Sequence, residues 1–163
     1  RDLTKKVWGG INPYIENFDC VGKTMDDLNE YCANNDVDIL IIDQLDKINV
    51  TGKFNATHEK LREVYTQARE LAKRHNILVI GMSQASAEAQ GRSRVTFSAM
   101  ENSKTGKAAE ADIILGLGKE DEQENFMDDC IRFVTLSKNK LTGDHKEFEV
   151  ILRPTISRFA ERN

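Results

Sequence analysis

Two apolar runs end in side chains able to do chemistry. Residues 38–43 read DILIID and residues 76–84 read NILVIGMSQ, so Asp43 and Gln84 each close a run suited to a buried strand. Parallel sheets take their ligands just outside the carboxyl ends of their strands. A carboxylate there can hold Mg²⁺ through water, and an amide can hydrogen-bond a terminal phosphate or the water that attacks it. An aspartate just past a strand also serves as a turn or cap residue, and a single polar strand end is often structural. Two such ends on one sheet edge favour a site.

Two groups of cations could meet an anion. Between Ser86 and Lys107 the chain carries Arg92, Arg94, Lys104 and Lys107, two glycines and few large apolar residues. Such a loop suits a phosphate backbone, whose neutralisation supplies most nonspecific affinity for nucleic acid; an ordinary solvated loop has the same composition. Lys138 and Lys140 alternate along a β-type segment and so share one face. They could reach one anion together, or serve as edge-strand lysines that block aggregation.

Gly22, Lys23 and Thr24 end like a phosphate loop of the form GxxxxGK[ST], but Asn17 occupies the place of the first glycine. Only nineteen residues separate Thr24 from Asp43, room for one short helix and one strand. A polar turn fits better, with Thr24 as N-cap of a helix over Met25 to Ala33 and Asp27 completing a capping box.

The elements that must position these groups follow from periodicity. VDILII and the run to Gln84 are continuous and rich in β-branched residues, which predicts strands buried on both faces of a parallel sheet. Between them Leu61, Val64, Tyr65, Ala68, Leu71 and Ala72 fall at helical spacing after Thr57, a candidate N-cap, and predict an amphipathic helix to about His75. A short helix around Ser98 to Ala108 precedes another apolar run from Ala111, and after Asp128 alternating residues across a Thr-Gly-Asp turn predict a hairpin. The order strand, helix, strand argues an α/β fold with right-handed crossovers.

The 163 residues suit one domain, with 31% charged and 39% hydrophobic residues and a formal charge of -4. That balance excludes a generally basic coat and leaves room for a local basic patch. No apolar run approaches the roughly 18 residues that span a bilayer, so the chain reads as soluble with no membrane partner. Cys20, Cys32 and Cys130 have no CxxC spacing and read as reduced thiols, which points to the cytoplasm.

Taken in order, these segments resemble the RecA-like motor domain of DnaB-type replicative hexameric helicases and the related phage primase-helicases. DVDILIIDQLDKI is similar to the family's Walker B segment, and ILVIGMSQAS to the strand that ends in its glutamine phosphate sensor. GRSRVTFSAMENSKTGKAAEADIIL resembles its second DNA-binding loop with the following strand, and LSKNKLTGDHKEFEV the hairpin that presents a lysine and an arginine finger to the neighbouring subunit's ATP. The resemblance covers nearly the whole chain and implies residues 1–163 as a single partial RecA-like motor domain: an α/β core with a mostly parallel sheet flanked by helices and a C-terminal β-hairpin. In that family a short G-x-T turn and helix precede the Walker B strand, which makes Gly22 to Thr24 that turn and places the phosphate loop and catalytic glutamate upstream of Arg1.

The function so implied is part of an ATP-dependent helicase that translocates on single-stranded DNA as a homo-hexameric ring in a bacterial or phage-infected cell, with primase as a possible partner and this segment alone inactive. Asp43 would position Mg²⁺, Gln84 would sense the γ-phosphate, and Lys138 and Lys140 would act in the adjacent subunit's site. Arg92, Arg94, Lys104 and Lys107 would follow DNA. Lys140 stands where the family has its arginine, keeping the charge without the planar fork. A noncatalytic RecA-like module for helicase loading or recombination is the alternative.

Overall fold

A computed structural model describes residues 22–99, 106–120 and 129–162. Helix α1 (Met25–Asn34) leads to strand β1 (Ile39–Ile42), a 3₁₀ turn at Leu45–Lys47, helix α2 (Thr57–His75) and strand β2 (Leu78–Gly81). Further along lie the short helix α3 (Gly106–Glu110) and strands β3 (Ile113–Gly118), β4 (Ile131–Asn139), β5 (Glu147–Arg153) and β6 (Arg158–Glu161).

Thr24 starts α1 as its sequence predicts. Its hydroxyl accepts from the Asp27 amide at 3.2 Å, and the Asp27 carboxylate takes the Thr24 amide at 2.7 Å, so two of the orphan donors at the helix start are satisfied reciprocally. Helix α2 begins differently: Ala56, not Thr57, is the N-cap, and no side chain caps from that position. Glu59 instead reaches back to accept from the Asn55 amide at 3.0 Å. At the other end Asn76 takes the left-handed conformation that closes many helices, behind Lys73, Arg74 and His75, whose charge suits the negative helix terminus.

Strands β1 and β2 are parallel neighbours, in register from Ile39 opposite Leu78 to Ile42 opposite Gly81, joined by the α2 crossover. Leu40, Ile42 and Val79 turn toward the helices and meet Met25 and Leu28 of α1 and Val64, Ala68 and Leu71 of α2 in the core. Each fully buried aliphatic side chain here contributes about 1.5–3 kcal/mol. The opposite face carries Ile39, Ile41, Leu78, Ile80 and Met82, all substantially exposed. The continuous apolar runs predict cover on both faces; the described residues supply it on one. Cys32 and Cys130 are buried free thiols, and Cys20 lies outside the described residues.

Strand β3 pairs antiparallel with β4, β4 with β5 and β5 with β6, so the described sheets are mixed and the C-terminal half is an antiparallel meander that contains the expected hairpin β4–β5. The expected mostly parallel arrangement holds for β1 and β2. Only residues 119–130 connect β3 to β4, which suits an antiparallel neighbour, whereas a parallel return usually requires a crossover helix. Among the described residues no helix is long and apolar enough to cross a membrane.

Candidate nucleotide and nucleic-acid site

The β1–β2 ladder continues past both strands. Met82 N donates to Ile42 O at 2.9 Å and Leu45 N to Met82 O at 2.9 Å, so the segments that carry Asp43 and Gln84 leave the sheet side by side. Both residues are exposed, and neither side chain has a polar partner among the described residues. A carboxylate without a protein partner, at the carboxyl end of a parallel strand, fits a Mg²⁺ held largely by water and phosphate oxygens. No group of three or more metal-ligating side chains occurs among the described residues.

Gly22 to Thr24 lacks the features of a phosphate cradle. Gly22 takes a positive φ of 72°, and the Thr24 hydroxyl both accepts from the Asp27 amide and donates to the Asp27 carboxylate at 2.8 Å. Those bonds hold the Asp27 carboxyl below its ordinary value, the backbone Thr24 contact first and its hydroxyl second. The hydroxyl is occupied as a helix cap.

Two residues after Gln84 begins a loop that Ser86 N and Ala99 O close at 2.7 Å. Its outgoing arm lies on β3: a Cβ on Gly116 would clash with the Val95 carbonyl and one on Gly118 with the Ser93 carbonyl, so only glycine admits the arm so close to the strand. Phe97 N then donates to Ser137 Oγ of β4 at 2.6 Å. With Ser93 and Val95 turned to the sheet, Arg92 and Arg94 alternate outward and are exposed. The nearest counter-charge of Arg94 is Glu147, 3.9 Å away. Lys104 lies outside the described residues.

Lys107 differs from the solvent-facing cation that its sequence context predicts. Its side chain is 1% exposed, and its ammonium sits 2.8 Å from Asp46 Oδ2 and 3.3 Å from Ser83 Oγ. Ser83 Oγ donates to the same carboxylate at 2.7 Å, Tyr65 OH donates to Asp46 Oδ1 at 2.8 Å, and the ammonium lies 5.6 Å from the Tyr65 ring centre. Burial, more than the Asp46 charge, pushes the Tyr65 phenol well above its ordinary value. An ammonium so enclosed cannot meet a phosphate backbone, which removes Lys107 from the DNA-facing set.

Lys138 and Lys140 do share one side of the hairpin, and they gather on the carbonyl end of α3. Lys138 Nζ donates to Ala108 O, and Lys140 Nζ donates to Ala109 O at 3.1 Å and lies 3.5 Å from Asp112 Oδ1. Arg69 of α2 completes the cluster by donating to Glu110 O and, at 3.0 Å, to Asp112 Oδ1. Burial and then the neighbouring Lys140 lower the pKa of Lys138. Burial pushes Asp112 up, but Arg69 and Lys140 outweigh it and hold the carboxyl low. Sequence reasoning missed Arg69, Asp46, Tyr65 and Ser83. Asp46 and Ser83 had a signal, since each lies within three residues of a predicted site residue; Arg69 had none.

The family model described as the DnaB-like helicase C terminal domain matches residues 19–161. Among solved structures, a helicase-type ATPase domain superposes with a TM-score of 0.75 at 17% identity, over 86% of this chain and 52% of that one. A DnaB-like replicative helicase, whose structure was described together with its interactions with primase, gives a TM-score of 0.72 at 18% identity, over 86% of this chain and 36% of its own. The chain thus spans between about a third and a half of those two structures. A comparison with curated proteins finds no match.

Proposed function

The chain belongs to the DnaB-like helicase C-terminal domain family, and from that premise we propose that it forms part of an ATP-dependent replicative DNA helicase motor that moves along single-stranded DNA as a homo-hexameric ring. One observation carries this reading: Asp43 and Gln84, both without side-chain partners among the described residues, emerge side by side from paired parallel strands, and the loop bearing Arg92 and Arg94 starts two residues beyond Gln84. The open apolar face of β1 and β2 is consistent with further chain of the motor domain packing there, as is the partial span of the solved relatives.

Bound MgATP would supply a phosphoryl group for transfer to water. Asp43 holds the metal through its water shell, and Gln84 orients the attacking water or contacts the outermost phosphate. Lys138 and Lys140 place positive charge at the adjacent subunit's site, where it stabilises charge developing on the phosphate oxygens. Arg92 and Arg94, with Lys104, follow the DNA backbone. Primase is the expected partner at the fork and the cytoplasm the expected compartment. A noncatalytic loading or recombination module is favoured only by Lys140, which replaces the planar arginine and is engaged with its own chain.

Steady-state ATP hydrolysis by the full-length protein, with and without single-stranded DNA, tests the reading. Asp43→Asn should fold normally and lose turnover in both conditions, because the amide cannot supply the charge that orders Mg²⁺. Gln84→Ala should lose DNA-stimulated hydrolysis more than basal hydrolysis. Full activity in Asp43→Asn would leave the noncatalytic module as the better account.

A further inference from the structure

Helix α3 is only five residues long, yet both of its ends are tied to residues assigned to the site. In its first turn Lys107 is enclosed, its ammonium shared by Asp46, three residues past Asp43, and by Ser83, which immediately precedes Gln84. At its last turn the carbonyls of Ala108 and Ala109 accept from Lys138 and Lys140. Enclosing an ammonium is unfavourable by several kcal/mol unless its partners stay in place. A shift of the segments that hold Asp43 and Gln84 therefore either carries Lys107 with it or breaks a buried ion pair. A single helical turn is stiff enough to pass that shift to the carbonyls that hold the two lysines.

Building on the motor reading above, we propose that Lys107 is a positioning residue: through α3 it links the Asp43 and Gln84 edge of one subunit's own site to the Lys138 and Lys140 pair that serves the neighbouring site. The Asp46, Tyr65 and Ser83 contacts make that link rigid, and α3 is the strut. Nucleotide occupancy at one seam then sets the placement of cations at the next, so hydrolysis around the ring becomes cooperative.

The test is the ATP dependence of hydrolysis by the full-length ring carrying Lys107→Met with Asp46→Asn. Methionine keeps the volume, while asparagine can still accept from Tyr65 and donate to Ser83, so the network becomes neutral without a stranded charge. A purely structural staple would leave the ATP curve unchanged at equal melting temperature and ring mass. The strut predicts that the Hill coefficient falls to about 1 and that turnover at saturation drops about fivefold. Ser83→Ala, which removes one hydroxyl and leaves the ion pair, should lower the Hill coefficient part of the way. A Hill coefficient equal to that of the unmodified ring in either variant overturns the proposal, as does an unmodified ring that hydrolyses ATP without cooperativity. An unmodified ring with no hydrolysis at all would instead overturn the motor reading on which it rests.

Discussion

Gly116 and Val95 approach so closely that any Cβ on the glycine would fall well inside 3.0 Å of the Val95 carbonyl oxygen. The obstacle is backbone, which cannot swing aside as a flexible side chain would. Gly116→Ala must therefore lift the arm that displays Arg92 and Arg94 off strand β3, at a cost of about 1–3 kcal/mol typical of overpacking. Gly143 of the β4–β5 loop takes a positive φ of 77° and meets nothing within 4 Å, so Gly143→Ala is strained by backbone conformation alone. Thermal unfolding of both variants, with limited proteolysis at the two arginines, separates the effects: Gly116→Ala should expose the Arg92 and Arg94 bonds, and Gly143→Ala should not.

The capping box makes a pH prediction. Asp27 has its carboxyl below the ordinary 3.8 in the folded chain, through the Thr24 backbone bond first. A depressed folded value means stability that is fully present above the unfolded value and is lost as pH falls through the folded one. Thr24→Ala removes both the cap and the reason for the shift. It should lower stability near neutral pH by about 1 kcal/mol, as loss of an N-cap typically does. Its melting temperature should also fall less steeply than that of the unmodified chain between about pH 5 and pH 2. Parallel curves for the two proteins over that acid range would show that Asp27 titrates as it does in the unfolded chain.

What was legible in the sequence was local. The Thr24 cap, the ends of β1 and β2 at Asp43 and Gln84, and the β4–β5 hairpin each rest on residues close together in the chain, where periodicity and capping chemistry apply. Lys107 was misread because a lysine in a polar, glycine-containing stretch looks solvated, while the carboxylate that holds it lies 61 residues earlier. The Arg69 cluster likewise joins α2 to a carbonyl 41 residues away, and no spacing rule reaches that far. Thr57 failed as a cap for a subtler reason: Glu59 satisfies the Asn55 amide, so the helix could start at Thr57 itself.

If Lys138 and Lys140 serve the adjacent subunit, their removal must be separable in space from the removal of Asp43. Rings made only of Asp43→Asn subunits, or only of Lys140→Ala subunits, should both be inactive, since every seam lacks one group. In rings mixed from equal amounts of the two, about a quarter of seams bring an intact Asp43 against an intact Lys140, and hydrolysis should reappear in that proportion. Activity no greater than that of either parent ring would place both groups in one subunit's site. Lys140→Arg should keep or raise turnover, because the guanidinium fork adds a second hydrogen bond to the same charge.

The placement of Arg92 and Arg94 fixes what DNA binding should look like. Both side chains point away from β3 on an arm that glycines hold against the sheet, in a chain whose net charge is -4. The attractive field is therefore local, and one subunit can neutralise only a few phosphates, so the isolated chain should bind single-stranded DNA barely measurably while a ring gains by multivalency. Replacing both arginines with alanine in the ring should weaken binding and reduce the log-log salt slope by about 0.7 for each phosphate no longer neutralised. Lys107→Met should leave that slope unchanged, because its ammonium is already enclosed by Asp46 and Ser83. Fluorescence anisotropy across a salt series, with ring mass followed by light scattering, reads both. An unchanged slope in intact rings lacking Arg92 and Arg94 would take this arm out of the DNA path.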